Sequence, residues 1–178
     1  MPDGVWDETS KYGDLRGYKP ATNEDRYRRS MYTIWKRTAG PPTMLLFDAP
    51  NRETCTVKRS RTNTPLQALA LLNEITFVEA AQGLARRMLT EGGSGAADRI
   101  RFGFQLALGR KPTKHELQTL EKGLAADRKF FHSDTHAAEK LSKVGVVPPP
   151  KDVPLPDYAA YTLVANVLLN LDEFIMRE

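Results

Sequence analysis

From Thr64 onward the chain is punctuated as a succession of helices, and this confines it to an assembly of short helical segments. Thr64-Pro65-Leu66-Gln67 sets an N-cap hydroxyl, a first-turn proline and a reciprocal amide in the order that starts a helix. Thr113 and Glu116 repeat the same box, Gly92-Gly93-Ser94-Gly95 is a breaker, and Gly109 suits a left-handed C-cap. Between these marks the apolar residues recur at helical spacing. Leu66, Leu69, Ala70 and Asn73 form the first stripe, with Asn73 stopping that helix and capping the next. Val78, Ala81, Ala85 and Met88 form the second, with Glu79, Gln82, Arg86 and Arg87 off it. Ile100, Phe104, Ala107 and Leu108 mark a third helix, and Leu117, Leu120 and Leu124 a fourth that runs to Phe131. Ser133-Asp134 recaps the chain for a short helix through Leu141.

A proline-rich loop spans 146–156, after which Asp157 caps a final helix with the stripe Tyr161, Val164, Leu168, Leu171 and Ile175. That helix is apolar over much of its circumference and is expected at the centre. Upstream, Tyr27 to Arg37 suits a short helix that Gly40-Pro41-Pro42 ends, and Thr43 to Arg61 reads as an ordered loop with extended pieces at 44–47 and 54–57. The predicted fold is all-α: an irregular bundle of five to six helices with a basic, largely irregular N-terminal segment packed on it. Residues 1–62 form the arm and loop with one short helix and residues 63–178 the helical bundle, together one folded unit.

The 178 residues, 40% hydrophobic and 27% charged, are ordinary globular composition and long enough to bury a core. The net charge of +4 is unevenly spread. Residues 1–64 carry 12 Lys/Arg against 8 Asp/Glu, whereas 65–178 carry 14 of each. Between Arg26 and Arg61 the ratio is 9 to 2, a local +7 suited to phosphate, sulfate, carboxylate polymers or an acidic protein face. No stretch reaches the roughly 18 apolar residues of a membrane span, and Met1 to Trp6 has neither a basic nor an apolar leader region.

Two arginine clusters, Arg26 to Arg29 and Lys58 to Arg61, lie on either side of Tyr32 and Trp35. Guanidinium forks bind oxyanions bidentately and stack on rings. Thr62, Asn63 and Thr64 add donors just ahead of a helix start, where free backbone N–H groups favour an anion. The candidate anion-binding residues are therefore Arg28, Arg29, Arg59, Arg61 and Thr64. The competing structural account pairs these arginines with Asp48 and Glu53.

Cys55, the single cysteine, rules out an internal disulfide; its basic neighbours make it a candidate reactive thiol, and an incidental thiol is the simpler account. His132 and His136 have an i, i+4 spacing that suits a metal only on an unbroken helix, which Ser133-Asp134 interrupts, so they read as a solvated pair and no metal site is assigned. Thr162, Asn166 and Asn170 read as buried groups bonding between helices, and Asp172-Glu173 as a cap or an arginine partner. Zinc-finger spacing, an RNP motif, a P-loop, a Rossmann fingerprint and a nucleophile elbow are all absent, so nucleic-acid binding ranks last and no catalytic residue is assigned.

The tracts YRRSMYTIWKRT, FDAPNRETC, RSRTNTPLQALALLNE, FVEAA, LALGRKPTKHEL and YTLVANVLLNLDEF closely resemble the C-terminal part of the domain of unknown function family 1553, typical of planctomycete and related bacterial proteins. Proteins of this kind are usually longer and exported, with a companion unknown domain and often a cytochrome c-like module upstream. The resemblance implies a C-terminal fragment, a truncated paralogue or a misplaced start. It also implies a periplasmic or cell-surface setting, with any haem in a separate upstream module and no cofactor in this chain; the sequence itself leaves the cytoplasm open. It supplies no catalytic residues.

Together these readings give a noncatalytic interaction or scaffold domain of a larger exported bacterial protein. Its partners would be an acidic protein face or an anionic glycan, together with the upstream modules. The alternative is a share in an active site completed by a missing upstream region, with Arg59, Arg61, Cys55 or Asp48 facing one concave pocket.

Overall fold

The computed structural model describes residues 24–35, 40–50, 53–58, 60, 62–145 and 148–176. Among them the regular structure is helical throughout, with eight α-helices and two short 3-10 turns and no strand. The chain divides into two compact units, 1–67 and 68–178, and the dividing point falls inside one helix.

In the first unit, 3-10 turns at Glu24–Tyr27 and Ser30–Tyr32 replace the single short helix expected from Tyr27 to Arg37. The expectation of an extended piece at 44–47 is also corrected, because α1 covers Pro42–Leu46. The Gly-Pro-Pro tract also starts a helix: Pro42 sits in the first turn, where its missing N–H and fixed φ assist initiation. Phe47 is the C-cap, and Asp48 follows with φ 58° in the left-handed region. Asp48 N donates to Leu45 O and Ala49 N to Met44 O, the paired bonds of a Schellman ending. An aspartate tolerates this conformation better than most residues.

Helix α2 (Pro65–Asn73) begins as its sequence predicts. Thr64 N donates to Gln67 Oε1 at 2.8 Å and Gln67 N to Thr64 Oγ1 at 3.3 Å, closing a capping box. The expected stripe is wrong by phase. Leu66 and Leu69 are 60% and 56% exposed, whereas Gln67 and Leu71 are buried. With leucines at 66, 69, 71 and 72, more than one helical face is apolar, and the side-chain bonds of Gln67 select the other one.

The second unit is built around α7 (Leu155–Leu169), which packs against α3 (Ile75–Glu91), α4 (Ala96–Leu108), α5 (Lys114–Ser133), α6 (Thr135–Ser142) and α8 (Asp172–Ile175). Tyr158 to Thr162 are five consecutive buried residues, as a helix surrounded by others requires. Their neighbours include Ala81, Ala85 and Met88 of α3, Ile100 of α4, Leu124 and Phe131 of α5 and Ala138 of α6. Phe104 and Leu168 form a smaller adjoining cluster. Gly103 lets α4 approach α3 closely, since a Cβ there would lie 2.6 Å from Met88 Sδ.

Several boundaries match expectation. Thr113 and Glu116 form both halves of their box, Gly109 takes φ 74°, and Asp134 ends α5 while accepting from Ala137 N at the start of α6. Others are corrected. Glu74, not Asn73, caps α3 by accepting from Thr76 N, while Asn73 Nδ2 donates back to Leu69 O. Gln82 is buried, donating to Leu141 O at 2.7 Å. Asp157 lies in the first turn of α7, not at its cap, and pairs with Arg128 Nε at 2.6 Å. The final apolar stripe is split at Asn170 and Leu171 into α7 and α8.

Candidate functional site

The region nominated by charge lies in the first unit. Its framework is polar. From its left-handed position at the end of α1, Asp48 accepts from Thr62 N at 2.8 Å and from Thr62 Oγ1 at 2.8 Å. Gln67 Nε2 donates to Thr62 Oγ1 at 2.9 Å and to Leu46 O at 2.8 Å. The bonds from the Thr62 hydroxyl and N–H hold the Asp48 carboxyl below its ordinary range. One aspartate, two threonines and one glutamine thus tie the end of α1 to the start of α2.

Of the nominated residues, Thr64 belongs to this lattice. Thr64 donates its N–H to Gln67 Oε1, and its hydroxyl oxygen accepts from Gln67 N in the capping box. Asp48 is bonded to Thr62 and Cys55 is exposed. Arg59 and Arg61 lie outside the described residues, as do Lys36, Arg37 and the side chain of Arg26. Arg28 and Arg29 are exposed; Arg28 pairs with Asp25 at 2.6 Å, and the Arg29 guanidinium carbon stands 5.9 Å from the centre of the Tyr32 ring.

Three neighbours complete that surface: Tyr27, Met31 and Tyr32 are all exposed, the last two to 64% and 61%. A regular helix would have turned Tyr27 and Met31 toward Ile34 and Trp35, away from the arginines. Instead the two short turns are flanked by i, i+3 contacts, Asp25 with Arg28 just past the first turn and Arg29, the extended N-cap residue of the second, with Tyr32. The aromatic and arginine content was legible; the exposure of these side chains was not.

The polar clusters of the second unit are structural. Arg110 binds Glu116 at 2.8 Å and Glu173 at 2.7 Å and lies 4.8 Å from the centre of Phe104. The Arg110 hydrogen bonds and the Thr113 N–H hold the Glu116 carboxyl down at about 2, and Glu173 is lowered by the same guanidinium. Arg99 and Arg128 stand 5.8 and 5.6 Å from the ring centre of the buried Tyr161. The Asn166 and Asn170 amides donate across helices to Leu72 O and Ala68 O, as expected, whereas Thr162 Oγ1 donates to Tyr158 O within its own helix and makes no bond between helices there.

His132 stands 3.8 Å from Asp157, and His136 lies beyond the Asp134 break on the next helix. Among the described residues no group of His, Cys, Asp or Glu is placed to hold a metal ion, and no helix is long and apolar enough to cross a membrane. A shallow groove of about 540 Å³ runs past Glu91, Asp98, Arg101, Phe102, Gln105 and Lys111. Its carboxylates are already engaged, Glu91 by Arg87 and Asp98 by Arg101.

An all-helical domain is the class that these features define. The chain belongs to the family described as PSD1, protein of unknown function (DUF1553), whose model matches residues 5–124. That span takes in the first unit and α2 to the middle of α5; the tract 161–174 lies past it. No curated protein and no solved structure matches the chain.

Proposed function

We propose that this chain is a noncatalytic interaction or scaffold domain of a larger exported bacterial protein, and that its basic surface docks an acidic partner, a protein face or an anionic glycan. The observation that carries this reading is the cluster at 25–32, where Arg28, Arg29, Tyr27, Met31 and Tyr32 are all exposed within eight residues. Arg59 and Arg61 extend the same charge in sequence. Haem chemistry, under this reading, belongs to a separate upstream module.

The test is binding to immobilised acidic polymers, polyglutamate and polygalacturonate, at about 0.05 and about 0.5 M salt, where screening lengths differ severalfold. Arg28→Glu with Arg29→Glu is expected to weaken binding by about tenfold or more, with the melting of the 68–178 unit unchanged as the control for folding. Binding that is the same at both salt concentrations, or absent at both, sinks the proposal.

A further inference from the structure

We propose that α8 is a strap, held on the apolar cluster of Phe104, Ala107 and Leu168 by one guanidinium, Arg110, and that it opens by itself while the bundle stays folded. Helix α8 has four residues, and Asn170 and Leu171 separate it from α7. A single helical turn does not persist alone in water, so its contacts must hold it. Their apolar share is small. Leu171 and Phe174 pack against the cluster, yet both stay partly exposed, and Asp172 and Glu173 are exposed outright.

The polar share converges on one residue. From the turn between α4 and α5, Arg110 Nε donates to Glu173 Oε1 at 2.8 Å and Arg110 Nη2 to Glu173 Oε2 at 2.7 Å, a two-point fork. The same guanidinium holds Glu116, with Nη2 donating to Oε1 at 2.8 Å and Nη1 to Oε2 at 3.1 Å, and it stands 4.8 Å from the centre of the Phe104 ring. Bidentate, networked pairs are the surface ion pairs that contribute measurably. One cation therefore serves two carboxylates, both of which reach Nη2. Without Glu173, Arg110 keeps Glu116; without Arg110, Glu116 and Glu173 are left opposed as like charges. Loss of the arginine should then loosen the strap more than loss of the glutamate.

Amide exchange in the full chain reads the strap at Phe174, Ile175 and Met176, whose N–H groups donate to Leu171 O, Leu171 O and Asp172 O. Buried Val164 and Ala165 of α7 read the bundle in the same sample. Arg110→Gln is expected to quicken exchange at the three strap amides by about tenfold and Glu173→Gln by about threefold, with α7 unchanged. Arg110→Gln combined with Glu116→Gln should regain part of the lost protection. Salt gives a signature of its own between about 0.05 and about 0.5 M. In the natural chain it screens an attraction and quickens strap exchange; in Arg110→Gln it screens a repulsion and slows it. Strap amides that are unprotected in the natural chain, that ignore Arg110→Gln, that quicken only together with α7, or that answer salt with the same sign in both chains overturn the proposal.

Discussion

Residues 68–178 are organised around a buried apolar core, whereas the described part of residues 24–67 carries a lattice of hydrogen bonds among polar side chains. In the second unit α7 buries nine of its fifteen residues and every long helix packs on it. In the first, α1 and both 3-10 turns have no fully buried residue among those described, and the organising contacts run between Asp48, Thr62, Thr64 and Gln67. The two constructions respond to sequence change in different ways. Core packing is spread over many weak contacts and is sensitive to volume. A polar lattice is carried by few atoms and is sensitive to chemistry, because each lost partner leaves another group unbonded. A unit of the second kind leaves its exposed side chains free of packing duty, and the binding surface proposed here lies in it.

The sharpest way to break this contrast is to empty the core. Phe104→Ala removes a ring buried between α4 and its neighbours and takes the stacking surface from Arg110. It is expected to destabilise residues 68–178 by about 3–5 kcal/mol in urea titrations. A loss below about 1 kcal/mol would mean that the site collapses freely and the core is not close-packed.

Gln67→Ala probes the lattice. It removes the reciprocal half of the capping box and two further bonds, to Leu46 O and Thr62 Oγ1. The expected cost is about 1–3 kcal/mol, confined to the start of α2 and its loop. Amide exchange should quicken at Thr62 and Thr64 while α7 amides keep their protection; protection lost everywhere would mean that the two units are not separately held.

The same contrast marks what the sequence made legible. Capping boxes at Thr64 and Thr113 and the left-handed glycine at 109 are decided by neighbours three or four residues away, so the local pattern sufficed. The buried face of α2 was not, because leucines at 66, 69, 71 and 72 satisfy competing stripes and a side-chain bond to residue 46 settles the matter. Helix α1 was missed because prolines 41 and 42 were read as an ending, although one proline pair serves equally as a beginning. At Thr64 only the capping role was readable from its neighbours: its N–H donates to Gln67 and its hydroxyl oxygen accepts from Gln67 N. The exposure of Tyr27 and Met31 was not legible because the expected single helix is replaced by two 3-10 turns with extended Arg29 between them.

A smaller effect sharpens the comparison by sign. Gly123 and Gly83 sit on exposed stretches of α5 and α3 with nothing within 4 Å of a prospective Cβ. Each Gly→Ala change there should stabilise the second unit by about 0.4–1 kcal/mol. In the first unit Gly40→Ala should do the opposite, since its Cβ would lie 2.6 Å from Cζ2 of the Trp35 ring, which cannot bend aside as a methionine tail can. Thermal melts of the three variants test this, and a stabilising Gly40→Ala would show that the Trp35 ring moves freely.

The smallest expected effect concerns pH. The Glu116 carboxyl lies at about 2 against an ordinary 4.5, chiefly through the hydrogen bonds from Arg110 and then the Thr113 N–H. A carboxyl depressed in the folded state contributes stability above its unfolded value and loses it as protons bind on the way down to the folded one. The contribution is therefore complete above pH 4.5 and gone by about 2. Glu116→Gln keeps an oxygen for the Thr113 N–H but removes the charge and turns an oxygen that accepts from Arg110 into an amide donor, so the difference in Tm from the natural chain reports the loss of the Arg110 pair. That difference is expected to be modest, because the pair is largely solvated, and to close between pH 4.5 and about 2. A gap that stays constant across this range would assign the role of Glu116 to its shape in the capping box and leave Arg110 to Glu173 alone.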